Sequence, residues 1–142
     1  MKQTIKVGVV GCGYWGPNLI RNLRQSPDCQ LKLLCDTSEP RLAHMRRLYP
    51  EVSTTRQFEE LLNGADLDAV VIATPVRYHY EMAMASLRAG KHVFIEKPMA
   101  RTEAEAEEMV ALAEREGLVL MVGHTFLFSP AVRRMKEIVD AG

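Results

Sequence analysis

The sequence predicts a doubly wound α/β domain, a parallel sheet of about six strands with helices on both faces, and three observations lead there. Short β-branched runs alternate with longer amphipathic stretches along the whole chain. Some runs, such as Ala69 to Ala73, are unbroken in hydrophobicity, as a parallel strand covered on both faces must be. The 142 residues, 47% hydrophobic and 25% charged, are enough for one compact core and too few for a second full domain.

Taken in order, Ile5 to Val10 reads as the first strand. The helix after it begins around Gly13 to Trp15 and runs to Gln25; Pro17 is tolerated because a first-turn N–H has no helical acceptor. Leu31 to Cys35 forms a second strand, closed by Asp36. Glu39 to Leu48 is helical, Val52 to Thr54 a short third strand, and Phe58 to Leu62 a short helix before an Asn63-Gly64 turn. Ala69 to Ala73 follows as the fourth strand, a helix from about Tyr78 to Ala89 stops at Gly90, and His92 to Ile95 is the fifth strand. Thr102 with Glu105 three residues on has the capping-box pattern, and the helix it opens carries Ala106, Met109, Val110 and Ala113 on one side until Gly117. Leu118 to Val122 is the sixth strand, and a last helix begins near Ser129-Pro130 and continues to Gly142. This β-α alternation implies right-handed crossovers.

Charge and cysteine usage exclude several function classes. Eighteen Lys and Arg balance 18 Asp and Glu, so no global field draws the chain to nucleic acid or an anionic membrane. Cys12, Cys29 and Cys35 are odd in number and lack zinc spacing, which suits reduced thiols in a cytoplasmic protein better than disulfides or a metal site. Val9-Val10-Gly11-Cys12 superficially resembles a lipoprotein cleavage box, but Lys6 and Gly8 interrupt the apolar run a signal sequence needs. No stretch approaches the roughly 18 consecutive apolar residues of a membrane span.

Chemistry enters at the first strand-to-helix turn, Gly11-Cys12-Gly13-Tyr14-Trp15-Gly16, which fits G-x-G-x-x-G. Gly11 permits the tight turn, Gly13 leaves no side chain between backbone and a pyrophosphate, and Gly16 lets the helix pack closely on the sheet. The helix start offers free N–H groups to phosphates. A glycine turn alone is weak, but Asp36 stands at the end of the second strand, where a carboxylate accepts both hydroxyls of a ribose. The pair predicts a dinucleotide-binding Rossmann domain. The charge of Asp36 repels a 2'-phosphate, which favours NAD; Arg41 keeps NADP open.

The sequence also resembles the glucose-fructose oxidoreductase, inositol dehydrogenase and MocA family (Gfo/Idh/MocA). The resemblance rests on Gly11 to Gly16, on Ala73-Thr74-Pro75 with His79, and above all on Ala89-Gly90-Lys91-His92-Val93 running into Glu96-Lys97-Pro98. Gly13-Tyr14-Trp15-Gly16-Pro17-Asn18 and Gly123-His124-Thr125-Phe126 look most like members acting on nucleotide sugars and related hexose derivatives. The chain departs from the common pattern at Val76, where asparagine is frequent, and at Thr125-Phe126-Leu127, where an arginine-rich segment is frequent.

The resemblance implies that Lys97 holds and polarises the reacting hydroxyl beside the nicotinamide, with Glu96 and Pro98 setting its loop and Pro98 following a cis peptide bond. It places Tyr14 and Trp15 with the glycines at the cofactor, and Thr74, Pro75 and His79 along the nicotinamide-ribose region. It also implies that residues 1–142 are the family's dinucleotide-binding half. The second α/β domain, with an Asp-to-His acid/base pair, the substrate pocket and usually the oligomer interface, then lies outside this chain. The expected function is therefore the cofactor half of an NAD(P)-dependent dehydrogenase acting on a sugar, nucleotide-sugar or inositol carbinol, binding cofactor but not turning over alone. A non-catalytic NAD(H)-sensing module is the alternative, and Lys97 is what such a module would not need. An S-adenosylmethionine-dependent methyltransferase shares the glycine turn and acidic ribose contact but leaves Glu96-Lys97-Pro98 unexplained.

Overall fold

The computed structural model describes residues 4–63 and 66–142, so Gly64 of the expected Asn63-Gly64 turn lies outside the described residues. Six parallel strands are present: β1 (Ile5–Val10), β2 (Cys29–Cys35), β3 (Ser53–Thr55), β4 (Ala69–Ile72), β5 (His92–Ile95) and β6 (Leu120–Val122). They lie in the order β3-β2-β1-β4-β5-β6. The chain thus winds one way from β1 to β3, returns to the centre, and winds the other way from β4 to β6, as a Rossmann sheet does. The helices are α1 (Gly16–Gln25), α2 (Glu39–Leu48), α3 (Glu59–Asn63), α4 (His79–Arg88), α5 (Glu103–Arg115) and α6 (Pro130–Ala141).

Period-two alternation sends side chains to two apolar layers. Val7 and Val9 pack with Ile20, Leu42 and Met45 on one face, under α1 and α2. Val10 and Ile72 pack with Leu61, Leu87 and Met109 on the other, under α3, α4 and α5. α6 has no buried residue among those described, and Phe126, Leu127, Phe128, Met135, Ile138 and Val139 are all exposed.

Differences from the sequence expectation are local and have physical causes. α1 begins at Gly16, later than expected, because the glycine loop turns non-helically, with Gly11 at φ 100°. β2 reaches back to Cys29 because Ile5 pairs with it, and β3 shifts to Ser53–Thr55 to match Leu33–Cys35. α5 turns Met109, Leu112 and Ala113 inward and leaves Val110 42% exposed, so Leu112 takes the inward place expected of Val110. At its start the Thr102 hydroxyl accepts the Glu105 N–H at 3.2 Å, but the Glu105 carboxylate accepts from the Arg101 N–H, one residue earlier than a capping box requires.

Candidate functional site

One row of paired residues, Thr55, Cys35, Val10, Ile72, Ile95 and Val122, crosses the sheet near the carboxyl ends of its strands. The next residue of five strands is still tied to a neighbour: Gly11 N–H donates to Cys35 O, Asp36 to Thr55, Ala73 to Val10, Glu96 to Ile72 and Gly123 to Ile95, at 2.8 to 3.3 Å. Ladder bonds therefore hold the motif residues at one level, where an open α/β sheet binds ligands.

The glycine loop is shaped by close approach. A Cβ on Gly11 would stand 2.5 Å from Ala73 O, and one on Gly16 would stand 1.9 Å from Gly11 O. The third glycine is therefore required first by the loop's own backbone, more than by the sheet packing the sequence suggested; Ala73 Cβ is 3.9 Å away. At Gly13 a Cβ would meet only the Arg41 guanidinium, at 3.5 Å. Among the described residues the N–H groups of Gly13, Tyr14, Trp15 and Gly16 meet no acceptor, leaving a row of donors at the start of α1.

Asp36 is 6% exposed, and both its oxygens are engaged: Oδ2 accepts from Cys12 N–H at 2.7 Å and Oδ1 from Ser38 N–H at 2.8 Å. Each oxygen keeps a second lone pair for a hydroxyl. The carboxylate is thereby tied to the glycine loop and to the start of α2 at once. Arg41 Nη1 stands 3.6 Å from Oδ2. Burial first, and the Asp36 charge second, push the thiols of Cys12 and Cys35 up to about 12, so neither is a nucleophile near neutral pH.

At the ends of β4 and β5, Thr74 is half-buried and Pro75 and Lys97 are exposed, and the Lys97 amine makes no ion pair or hydrogen bond among the described residues. The Lys97-Pro98 bond is cis, as the resemblance implied. His79 departs from expectation. It is 1% exposed, and its Nδ1 and Nε2 lie 2.8 Å from the carbonyl oxygens of Pro98 and Thr74. Spaced four apart from Ala83 and Leu87, it falls on the buried face of α4, so it ties the two loops together from beneath instead of lining the ribose region. Glu96 is 8% exposed, and its Oε1 has no hydrogen-bond partner among the described residues.

A cavity of about 700 Å³ brings together Gly11, Gly13, Tyr14, Trp15, Asp36, Thr74 and Pro75. Gly16, His79, Glu96 and Lys97 are not in its wall. Arg56, Phe58, Arg77, Tyr78 and Met82 are in it and carry no local sequence signal. Only the pairing of β2 with β3 could have shown that Arg56 emerges beside Asp36. A dinucleotide fits this chain chemically: the cavity brings open N–H donors, which suit a pyrophosphate, beside a fixed carboxylate, which suits ribose hydroxyls. No group of three or more metal-ligating side chains occurs among the described residues, and none of their helices is long and apolar enough to cross a membrane.

Comparison with known proteins agrees with that geometry. The family model described as "Oxidoreductase family, NAD-binding Rossmann fold" (GFO_IDH_MocA) matches residues 5–124. A 1-carboxy-3-chloro-3,4-dihydroxycyclohexa-1,5-diene dehydrogenase of Comamonas testosteroni is 34% identical over 97% of this chain and 35% of its own length. The NADP(+) scyllo-inositol 2-dehydrogenase of Bacillus subtilis is 32% identical over 99% of this chain and 38% of its own length. Among solved structures, scyllo-inositol dehydrogenase from Lactobacillus casei with bound NAD(H) and scyllo-inositol superposes with a TM-score of 0.88 at 27% identity, covering 99% of this chain and 42% of that one. The chain thus spans well under half the length of these relatives.

Proposed function

The chain belongs to the Gfo/Idh/MocA oxidoreductase family, and on that premise we propose that it is the cofactor-holding half of a dehydrogenase acting on a ring carbinol of a polyhydroxylated substrate, a sugar, nucleotide sugar or inositol. The observation that carries the reading is the single cavity joining the open N–H groups after Gly11 to the fixed carboxylate of Asp36. Nicotinamide, when bound, accepts or gives the hydride. The N–H groups of Gly13 to Gly16 bind the pyrophosphate, Asp36 fixes a ribose, Tyr14 and Trp15 flank the cofactor, and Thr74 and Pro75 form the wall toward the nicotinamide. His79 sets the Thr74 and Pro98 loops relative to each other. Lys97 donates a hydrogen bond to the substrate oxygen, and Glu96 holds the start of that loop.

Proton removal from the carbinol needs a second group. A lysine acts as a base near neutral pH only when strongly desolvated, and Lys97 is exposed here. The relatives' additional length is where a base and a substrate wall would reside, so residues 1–142 constitute a cofactor domain whose activity requires a second one. The exposure of Lys97 outside the cavity also suits a second reading, a module that binds NAD(H) without turnover.

NADH fluorescence titration of the chain and of Asp36→Asn tests the cofactor assignment. Loss of a charge-assisted acceptor should weaken binding by about tenfold or more, in line with roughly 1.5–3 kcal/mol for such bonds; equal affinities would refute the ribose role. Incubation with NAD and a panel of hexoses, inositols and nucleotide sugars should give no appreciable reduced nicotinamide, because a positioned base contributes about 10²–10⁴-fold. Fusing the chain to a relative's remaining length should restore turnover that Lys97→Ala abolishes. Unaffected turnover in that variant would refute the role of Lys97, and a folded fusion that binds NADH without turnover would favour the binding-module reading.

A further inference from the structure

We propose that the chain pairs with a second copy of itself through α6 and the Thr125–Phe128 turn before it, with the two α6 helices antiparallel across a two-fold axis. The inference starts from a helix that packs on nothing. α6 is 12 residues long with no buried residue, and the turn before it has none either. A helix no longer than about 12–15 residues is marginal in water by itself, because most helical stability comes from packing an amphipathic face. The sheet supplies no such packing, so the cover comes from a surface outside this copy.

Val132, Met135, Ile138 and Val139 recur at three- and four-residue spacing and form one apolar stripe along α6. Phe126, Leu127 and Phe128 stand beside its first turn, where Arg133 Nε donates to Leu127 O at 3.1 Å and the Arg133 guanidinium lies 6.0 Å from the Phe128 ring centre. Apart from half-buried Val132, these side chains are 57–75% exposed. Covering them would remove on the order of 800 Å² from water per copy, about what each partner of a stable interface gives up. Elsewhere among the described residues, the large apolar side chains that are exposed occur singly or in pairs along the chain. In a solution of this chain the matching surface is therefore the same patch on another copy, and a patch that covers itself is what a two-fold interface requires. Charge sets the direction. Arg133, Arg134 and Lys136 precede Glu137 and Asp140, so antiparallel helices bring basic parts beside acidic ones, whereas parallel helices would align like charges. The exposed Arg134–Glu137 and Lys136–Asp140 pairs are each worth little and leave that polarity along the axis unchanged. No residue of α6 or of the turn lines the dinucleotide cavity, so the pairing does not draw on the cofactor site.

The test is sedimentation equilibrium of the wild-type chain, Met135→Glu and Ile138→Glu over a wide range of concentration, with circular dichroism and NADH titration on each. Both replaced side chains are exposed in the single copy, so the variants are expected to fold. The wild type should pass from one copy to two as concentration rises, and its helical signal should rise with it. Each variant should weaken pairing by about tenfold or more, because a carboxylate without a partner replaces apolar contact, while NADH affinity changes by less than about threefold. Orientation is read by mixing Val132→Cys and Val139→Cys copies under oxidising conditions: antiparallel helices cross-link the two kinds to each other, parallel helices each to its own kind. A wild type that stays single at every concentration, variants that pair as well as it does, or cross-links between like copies would each overturn the proposal. So would hydrogen-exchange protection of α6 that appears only when the chain is joined to a relative's remaining length, since that length is then the cover.

Discussion

At the scale of single residues, the three glycines of the fingerprint separate into two kinds. Gly16→Ala would place a methyl group 1.9 Å from Gly11 O, and Gly11→Ala would meet Ala73 O at 2.5 Å in a backbone at φ 100° that L side chains rarely adopt. Both should lower stability by about 1–3 kcal/mol or more, because backbone must move. Gly13→Ala meets only the flexible end of Arg41, so its urea midpoint should stay near wild type while NADH affinity falls. Urea unfolding beside NADH titration checks this; a Gly13→Ala protein as destabilised as Gly16→Ala would refute the distinction. The glycines and Asp36 were legible because each solves a local problem within a few residues of its neighbours. Arg56 was not, because its relation to Asp36 exists only through pairing of two strands. His79 was half legible: the motif marked it, but the sequence placed it along the ribose region, and only the packing of α4, which buries it with Ala83 and Leu87, shows the face on which it lies.

At the scale of elements, the sequence marked the six strands and six α-helices of the described residues but not the short 3-10 turns at Val76–Tyr78 and Thr125–Phe128, and most errors fell at ends, where a pairing partner decides how far a strand continues. α5 is the most self-contained example. Thr102 caps it through Glu105 N–H, and Glu105 returns a bond to Arg101 N–H. That backbone bond, ahead of the Arg101 side chain, holds the Glu105 carboxyl below its ordinary value of 4.5. The folded-state value is lowered, so the contribution is present above about pH 4.5 and is lost as pH falls through the folded value. Thr102→Ala should cost about 1 kcal/mol, read as a lower urea midpoint. NADH affinity should not change, since no residue of α5 lines the cavity. A shift in affinity would mean that the cap is coupled to the site.

At the scale of the whole molecule, Cys12 and Cys35 lie in the two different apolar layers, so their titration reports on the integrity of both faces of the sheet. Each thiol is raised from an ordinary 9.0 to about 12, first by burial and then by Asp36. Below pH 9 the folded and unfolded chains keep these protons alike. Between pH 9 and 12 only the unfolded chain releases them, so each thiol should remove about 1.4 kcal/mol of stability per pH unit. Urea midpoints should therefore fall steeply above pH 9, less so in Cys12→Ala and Cys35→Ala; a flat profile would show that the thiols are wet. What the sequence by itself determined is whatever depends on neighbours along the chain: the alternation of strands and helices, the glycine turn, and an acidic residue closing the second strand. The tertiary structure decided which of the marked residues share one cavity, that His79 lies beneath it, and that Arg56 joins Asp36 there. The reason is physical: a turn is fixed by local sterics, whereas the charge around a ligand is summed over strands that sequence separates and hydrogen bonding aligns.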